Sequence, residues 1–359
     1  MTDLAPVGLL AELTHRCPLA CPYCSNPLEL TRSHQELDAA TWAQVFREAA
    51  NLGVLQLHLS GGEPASRRDL EEIVAAARAA DLYVNLITSG IGLTEARLGA
   101  LARAGLDHVQ LSVQDTDAAT SDQIGHYAGF QRKMDVARWT QAFGLPLTLN
   151  APLHRANVHH ARAFIDMALA MKAGRIELAH VQYYGWALAN RASLMPTRAQ
   201  LDDTIAVVDT ARADLAGRLV IDFVLPDYYA GAPKPCMGGW GREVIVVAPN
   251  GDVMPCHAAR SLPGVVFENV RDTSLATIWN ESAAFNLYRG TAWMKEPCVG
   301  CPKAEIDWGG CRCQALALAG DAAAADPVCD LSPVHGRLAA LAEAESLAPP
   351  PAYRFRTFA

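Results

Sequence analysis

No apolar run in this chain approaches the ~20 residues that a helix needs to span a bilayer. Its first residues also lack the basic stretch followed by an apolar one that marks a secretory signal. Lys and Arg total 30 against 38 Asp and Glu, a net charge of −8, and the basic residues form no long runs. That balance argues against a nucleic-acid or membrane surface. Cysteine is missing from residues 25–235, although ten stand elsewhere, at 17, 21, 24, 236, 256, 298, 301, 311, 313 and 329. A secreted disulfide protein rarely leaves its longest segment unstapled, and rarely sets its cysteines in Cys-x2-Cys loops. Metal binding in a reducing cytosol is the better reading, so a cytoplasmic protein is expected. No repeat of fixed period is evident. The histidines form no ligand-spaced pair except His159-His160, whose side chains should point apart on a helix.

What is present begins with an apolar fraction of 51%, ample for a buried core in a chain of 359 residues. The organising stretch is Glu12-Leu-Thr-His-Arg-Cys17-Pro-Leu-Ala-Cys21-Pro-Tyr-Cys24. Three thiolates spaced Cys-x3-Cys-x2-Cys can converge from one loop onto three corners of an iron–sulfur cube. The fourth iron is then open to a small molecule, which suits catalysis better than electron storage. The alternatives are a zinc loop or three thiols that merely sit close. Zinc sites usually repeat Cys-x2-Cys and need a fourth ligand, which no neighbour supplies.

Hydrophobic periodicity around this loop alternates strand and helix. Strands are expected at Val7–Thr14, Gln56–Ser60, Tyr83–Thr88, His108–Val113, Leu147–Ala151 and Arg175–Tyr183. Helices are expected between them at Ala39–Leu52, Arg68–Ala80, Thr94–Ala104, Phe130–Phe143 and His159–Met171. Six strands separated by helices imply an α/β protein with a parallel, open or partial (β/α)6 barrel, whose ligand sites lie at the carboxyl ends of the strands. After a helix over Arg198–Leu215 the character changes. Glu243–Pro255 reads as a hairpin about Asn250-Gly251 and Thr273–Asn280 as a short capped helix, whereas Cys298–Cys329 is irregular and dominated by its cysteines. A boundary is placed within Asp222–Gly239, giving a domain over 1–221, a second over 222–345 and an extended, proline-rich tail over 346–359.

The later cysteines fall as Cys236-x14-Gly251-x4-Cys256, then Cys298-x2-Cys301, Cys311-x-Cys313 and Cys329. Spacing alone proposes two metal centres and leaves a zinc ribbon open. The first loop resembles the signature of the radical S-adenosylmethionine (SAM) enzymes, including Tyr23 just before the last cysteine. The C-terminal arrangement resembles their SPASM extension, with one departure: Asp307 stands where that pattern has a cysteine. A carboxylate is a harder ligand than thiolate and should alter the potential of its cluster. Asp307 together with the extra Cys313 resembles the family that cyclises the PqqA precursor peptide in pyrroloquinoline quinone biosynthesis. Ala11–Cys17, Cys24–Leu30 and His180–Asn190 carry the same likeness, which covers nearly the whole chain.

That resemblance implies three clusters. Cys17, Cys21 and Cys24 would hold a SAM-binding 4Fe-4S cluster. Cys298, Cys301, Asp307 and Cys329 would hold a 4Fe-4S auxiliary cluster, and Cys236, Cys256, Cys311 and Cys313 one that is 2Fe-2S or 4Fe-4S. Gly61-Gly62-Glu63-Pro64, otherwise a strand-to-helix turn started by Glu63, resembles the segment that binds the SAM amino group. Its glycines allow close backbone approach. Thr88-Ser89-Gly90, Ser112, Gln114 and Asn150 close later strands, as ribose or substrate contacts or as plain polar caps. Tyr183, Tyr184 and Trp186 are core by default, though an aromatic wall would suit a tyrosine-bearing peptide. The implied reaction is oxidoreduction: a SAM-derived radical takes hydrogen from a glutamate side chain of the peptide, and the resulting carbon radical adds to a tyrosine ring. Implied partners are the PqqA peptide, a PqqD-type chaperone acting in trans and an electron donor such as a flavodoxin. The competing expectations are another SPASM maturase, of thioether or sulfatase type, or a non-catalytic iron–sulfur or zinc scaffold.

Overall fold

The apolar run at the start of the chain becomes strand β1 (Gly8–Thr14), and the sheet grows outward from it on both edges. The computed structural model describes residues 4–356. On one side of β1 lie β2 (Gln56–Gly61), β3 (Tyr83–Thr88), β4 (His108–Ser112), β5 (Leu147–Leu153), β6 (Arg175–His180) and β7 (Val220–Val224), each parallel to its neighbour. On the other side β8 (Val244–Val247) also runs parallel to β1, and β9 (Val253–Met254) returns antiparallel to β8. The order is β7-β6-β5-β4-β3-β2-β1-β8-β9, a curved sheet that does not close.

The helices are α1 (Ala39–Asn51), α2 (Leu70–Ala79), α3 (Glu95–Ala104), α4 (Ala118–Gly125), α5 (Phe130–Ala142), α6 (Ala161–Ala170), α7 (Gly185–Ala189), α8 (Arg191–Leu194), α9 (Arg198–Asp214), α10 (Leu275–Glu281), α11 (Ala283–Asn286), α12 (Ala304–Asp307), α13 (Arg312–Ala319) and α14 (His335–Leu347). Alternate strand residues point to opposite faces. Leu9, Ala11 and Leu13 of β1, Leu57 and Leu59 of β2 and Leu149 and Ala151 of β5 are fully buried in one core with Trp42 and Phe46 of α1. Burying each such large side chain is worth about 1.5–3 kcal/mol. The other face carries polar groups that satisfy one another. Gln110 and Asn150 both donate to Glu177 Oε2, at 3.0 and 2.9 Å, and Asn85 Nδ2 lies 3.0 Å from His58 Nδ1. The residues that leave the hydrophobic alternation therefore mark the face turned away from that core.

Several expectations change. A seventh parallel strand, β7, follows α9; its short, acid-bearing Val-Ile-Asp-Phe-Val gives too little alternation to read. The hairpin about Asn250-Gly251 forms, but β8 pairs with β1, because an isolated hairpin is marginal without a third strand. The sixth strand stops at His180 rather than Tyr183. His159 and His160 also sit on a 3-10 turn with rings 3.9 Å apart, not pointing away from each other. His160 Nδ1 meets the buried Asp115 at 3.0 Å. The irregular cysteine-rich region contains α12 and α13. The tail follows α14 in extended form, and its residues 357–359 lie outside the described residues. Among the described residues no helix is long and apolar enough to cross a membrane.

Candidate active site

At the carboxyl ends of β1–β6 the chain lines a cavity of about 360 Å³. Cys17, Cys21, Tyr23 and Cys24 line it together with Gly61, Gly62, Thr88, Ser89, Ser112, Gln114, Asn150 and residues 179–182. The parallel sheet does this, since every strand delivers its following loop to the same edge.

The glycines have a local cause. Gly62 N donates to Thr14 O at 2.5 Å and Glu63 N to Arg16 O at 2.8 Å, joining the end of β2 to the start of the cysteine loop. A Cβ on Gly61, which sits at φ +116°, would strike Thr14 O, and one on Gly62 would strike Arg16 O. The close approach thus serves the protein's own backbone. Glu63, fully buried, and Pro64, also buried, do not line the cavity. Glu63 Oε1 accepts from Ala65 N at 3.0 Å and Thr88 Oγ1 at 2.7 Å. Its Oε2 accepts from Ser89 N at 2.7 Å and Ser89 Oγ at 2.5 Å. Its carboxylate pins the end of β3, whose Thr88 and Ser89 line the cavity. Lys133 on α5 does the same from behind, donating to Ser89 O at 3.0 Å and Ser112 O at 3.2 Å.

Burial pushes the Cys17 thiol up to about 12, with Glu63 adding to it, and burial pushes Cys21 up to about 11 and Cys24 up as well. Burial lowers Lys133, which the nearby Cys21, Glu63 and Cys17 oppose. Asn26 Nδ2 and Gln114 Oε1, both in residues lining the cavity, are buried without a hydrogen-bond partner. Orphaned polar atoms of this kind are costly unless a ligand meets them. All ten cysteines are free thiols. Soft, unpaired donors beside orphaned polar atoms fit an iron–sulfur cluster with a polar small molecule upon it.

The remaining candidates sort into two groups. Cys236, Cys256, Cys311 and Cys313 line a second cavity of about 420 Å³ that shares Gln182 and Tyr184 with the first. Tyr184 OH lies 2.5 Å from His257 Nε2. Hydrogen bonding from Cys236 draws the Cys256 thiol below its ordinary range. Cys298, Cys301, Asp307 and Cys329 line a third, narrow cavity. Asp307 Oδ1 accepts from Gly309 N at 2.8 Å, which shapes the turn after α12. Between the groups stands Asp326, on the third cavity's wall, which accepts from Cys311 N at 2.6 Å; burial pushes it up to about 6. Among the described residues no three His, Cys, Asp or Glu donors converge on one point as a single metal ion would require. What gathers these side chains is the common wall of each cavity.

Two family models match: the radical SAM superfamily over residues 11–168 and an iron–sulfur cluster-binding domain over residues 236–302. A PqqA peptide cyclase of Methylocella silvestris is 62% identical over 340 residues, covering 94% of this chain and 91% of that one. A second, of Xanthomonas axonopodis pv. citri, is 58% identical over 352 residues, covering 98% and 95%. The chain belongs to the PqqA peptide cyclase family. It is a radical SAM enzyme, and the fold agrees. Streptococcus suis SuiB bound to S-adenosylmethionine superposes with a TM-score of 0.76 at 19% identity, covering 91% of this chain and 78% of that one. Native anSMEcpe with bound AdoMet gives 0.65 at 15% identity, covering 95% and 96%.

Sequence reading missed several residues of this cyclase-family site. Lys133 was findable: it falls in phase with the buried stripe Val136, Ala137 and Thr140 of α5. Asn190 lay in the quoted segment His180–Asn190, yet nothing there shows that its amide reaches Pro22 O at 2.9 Å. Gly185, at φ +56°, packs so closely that a Cβ would strike Asn26 O.

Proposed function

We propose that this enzyme forms the carbon–carbon cross-link between a glutamate and a tyrosine side chain of the PqqA precursor peptide, within pyrroloquinoline quinone biosynthesis. The supporting observation is the sorting of the cysteines. One trio faces a strand-end cavity with orphaned polar atoms, and that cavity meets, at Tyr184, a second one walled by four cysteines. The names of the relatives support the same substrate.

In this reading Cys17, Cys21 and Cys24 hold a 4Fe-4S cluster. Tyr23, Gly61, Gly62, Ser112, Asn150 and the orphaned Gln114 surround SAM, while Glu63 and Pro64 set the wall's shape. Cys298, Cys301, Asp307 and Cys329 hold a 4Fe-4S cluster, for which the narrow third cavity would have to part. Cys236, Cys256, Cys311 and Cys313 hold one of 2Fe-2S or 4Fe-4S type. When bound, cluster and SAM supply a hydrogen-abstracting 5′-deoxyadenosyl radical. The chain's own part is to place the peptide's glutamate against the cavity and to keep water out. The cross-link also requires loss of one electron and one proton from the tyrosine adduct. A cluster held by Cys236, Cys256, Cys311 and Cys313, whose cavity shares Tyr184 with the first, would supply an acceptor for that electron. Units over 1–221, 222–345 and 346–359, a PqqD-type chaperone and a flavodoxin-like donor complete the proposal.

The test is an anaerobic reaction of reconstituted protein with SAM, a reductant, PqqD and a PqqA peptide. A peptide lighter by two hydrogen atoms, with 5′-deoxyadenosine, is expected. Deoxyadenosine with an unchanged peptide would contradict the substrate.

A further inference from the structure

The C-terminal segment runs back across the molecule to the cysteine loop. After α14 ends, Pro349, Pro350 and Pro351 hold the chain extended without internal hydrogen bonds. Terminal residues usually fray unless something ties them down. Here ties recur along the segment. Arg155 Nη1 donates to Ala348 O at 2.8 Å and Ser193 Oγ to Pro351 O at 2.8 Å. Asn190 clamps Arg354 on both sides, accepting from its N at 2.7 Å and donating to its O at 2.9 Å. The same Asn190 amide donates to Pro22 O, so one side chain joins the tail to the cysteine loop. Tyr353 packs against the same buried cluster of Val181, Ala187 and Leu194 as Tyr23 does, and Phe355 stacks on His126 with ring centroids 4.4 Å apart.

These anchors deliver Arg356, which is only 5% exposed, to the inside of the loop. Its Nη2 donates to Leu19 O at 2.7 Å and to Cys17 O at 3.3 Å, linking positions more than 330 residues apart in sequence. A buried guanidinium is costly unless it is hydrogen-bonded and faces compensating charge. Thiolates at Cys17, Cys21 and Cys24, on the loop whose carbonyls the guanidinium meets, would provide that charge.

We propose that Arg356 is a positioning residue for the cysteine loop, fixing its backbone at Cys17 and Leu19 and supplying the counter-charge that favours the reduced form of a cluster held there. The charge part rests on the ligand assignment above; the backbone part does not. Reduction brings in one electron from a one-electron donor and no proton, so one negative charge is added, and the guanidinium offsets it in a site shielded from water.

The experiment compares full-chain Arg356→Gln, Arg356→Lys and Asn190→Ala with the unaltered protein. The first readout is hydrogen exchange of residues 17–26 before reconstitution. The second is an EPR-monitored redox titration, after reconstitution, of the signal that responds to SAM. Arg356→Gln should speed exchange in the loop. It should also cut the reduced-to-oxidised ratio at a fixed solution potential about tenfold, which is 59 mV for a one-electron couple. Arg356→Lys should restore the potential better than the exchange, because a lysine keeps the charge but not the planar fork. Asn190→Ala, by releasing the tail, should move both readouts in the direction of Arg356→Gln. Unchanged loop exchange in Arg356→Gln overturns the backbone part, and an unchanged potential at full iron content overturns the charge part. Absence of any SAM-responsive signal in the unaltered protein would instead defeat the ligand assignment, and the exchange result would still decide the backbone part.

Discussion

Replacing Glu63 by glutamine separates two roles that one acidic side chain could play beside a SAM cavity. The carboxylate is fully buried and accepts four hydrogen bonds, two on each oxygen. Glutamine keeps the shape but has one acceptor oxygen, so its NH2 must face either Ser89 N–H or Ala65 N–H, donor against donor. One charge-assisted bond is lost, about 1.5–3 kcal/mol, and a buried N–H is left orphaned for a further ~1–3 kcal/mol. Allowing for relaxation, a loss of about 3 kcal/mol is expected, about 4 °C in melting temperature for a chain of 359 residues. SAM affinity should fall in parallel, because Ser89 and Thr88 line the cavity. Thermal unfolding followed by circular dichroism, with SAM binding by calorimetry on the reconstituted protein, measures both. A melting temperature within a degree of the unaltered protein, together with collapsed SAM affinity, would refute the scaffold role and make Glu63 a direct ligand contact.

Further outcomes follow from other residues. His154 and His180 are buried, and burial lowers them to about 3 and about 4 against an ordinary 6.5. Both remain neutral in the fold while the unfolded chain takes up protons, so the stability they contribute is present above pH 6.5 and lost as pH falls. At 1.36 kcal/mol per unit per group the slope approaches ~2.7 kcal/mol per pH unit between pH 6 and 4; urea midpoints against pH should show it, and His180→Gln should halve it. Gly185→Ala should disorder the loop around Asn26 and lower iron content, since a Cβ there meets the Asn26 carbonyl; unchanged iron would contradict that docking. Cys17→Ala should abolish 5′-deoxyadenosine formation, and retained formation would sink the assignment of the loop. Asp307→Ala should spare that reaction and instead reduce cross-linking or iron bound at the third group, as read by product mass and metal analysis.

Much of this was legible from the chain alone, for physical reasons that differ by residue. Strands with one fully buried face alternate apolar and polar residues, and Cys17, Cys21 and Cys24 lie close in sequence because one loop presents them. The three cysteine groups were separable through resemblance, and the cavities gather the same sets. The glycines of Gly61-Gly62 signalled a close approach but not its partner, which proved to be the backbone of Thr14 and Arg16. The pairing of β8 with β1, the clamp of Asn190 and the reach of Arg356 to Cys17 depend on contacts between remote residues. Such contacts leave no periodicity or spacing to read. Lys133 stands between these cases, visible as a charge on an apolar helical stripe yet silent about the strand ends it holds.

The most direct test of the account is tandem mass spectrometry of the peptide product from fully reconstituted enzyme, to locate the new bond. The account predicts glutamate and tyrosine fragments that stay joined through carbon, in a peptide lighter by two hydrogens. A modification at any other pair of residues, or none while SAM is consumed, would contradict it.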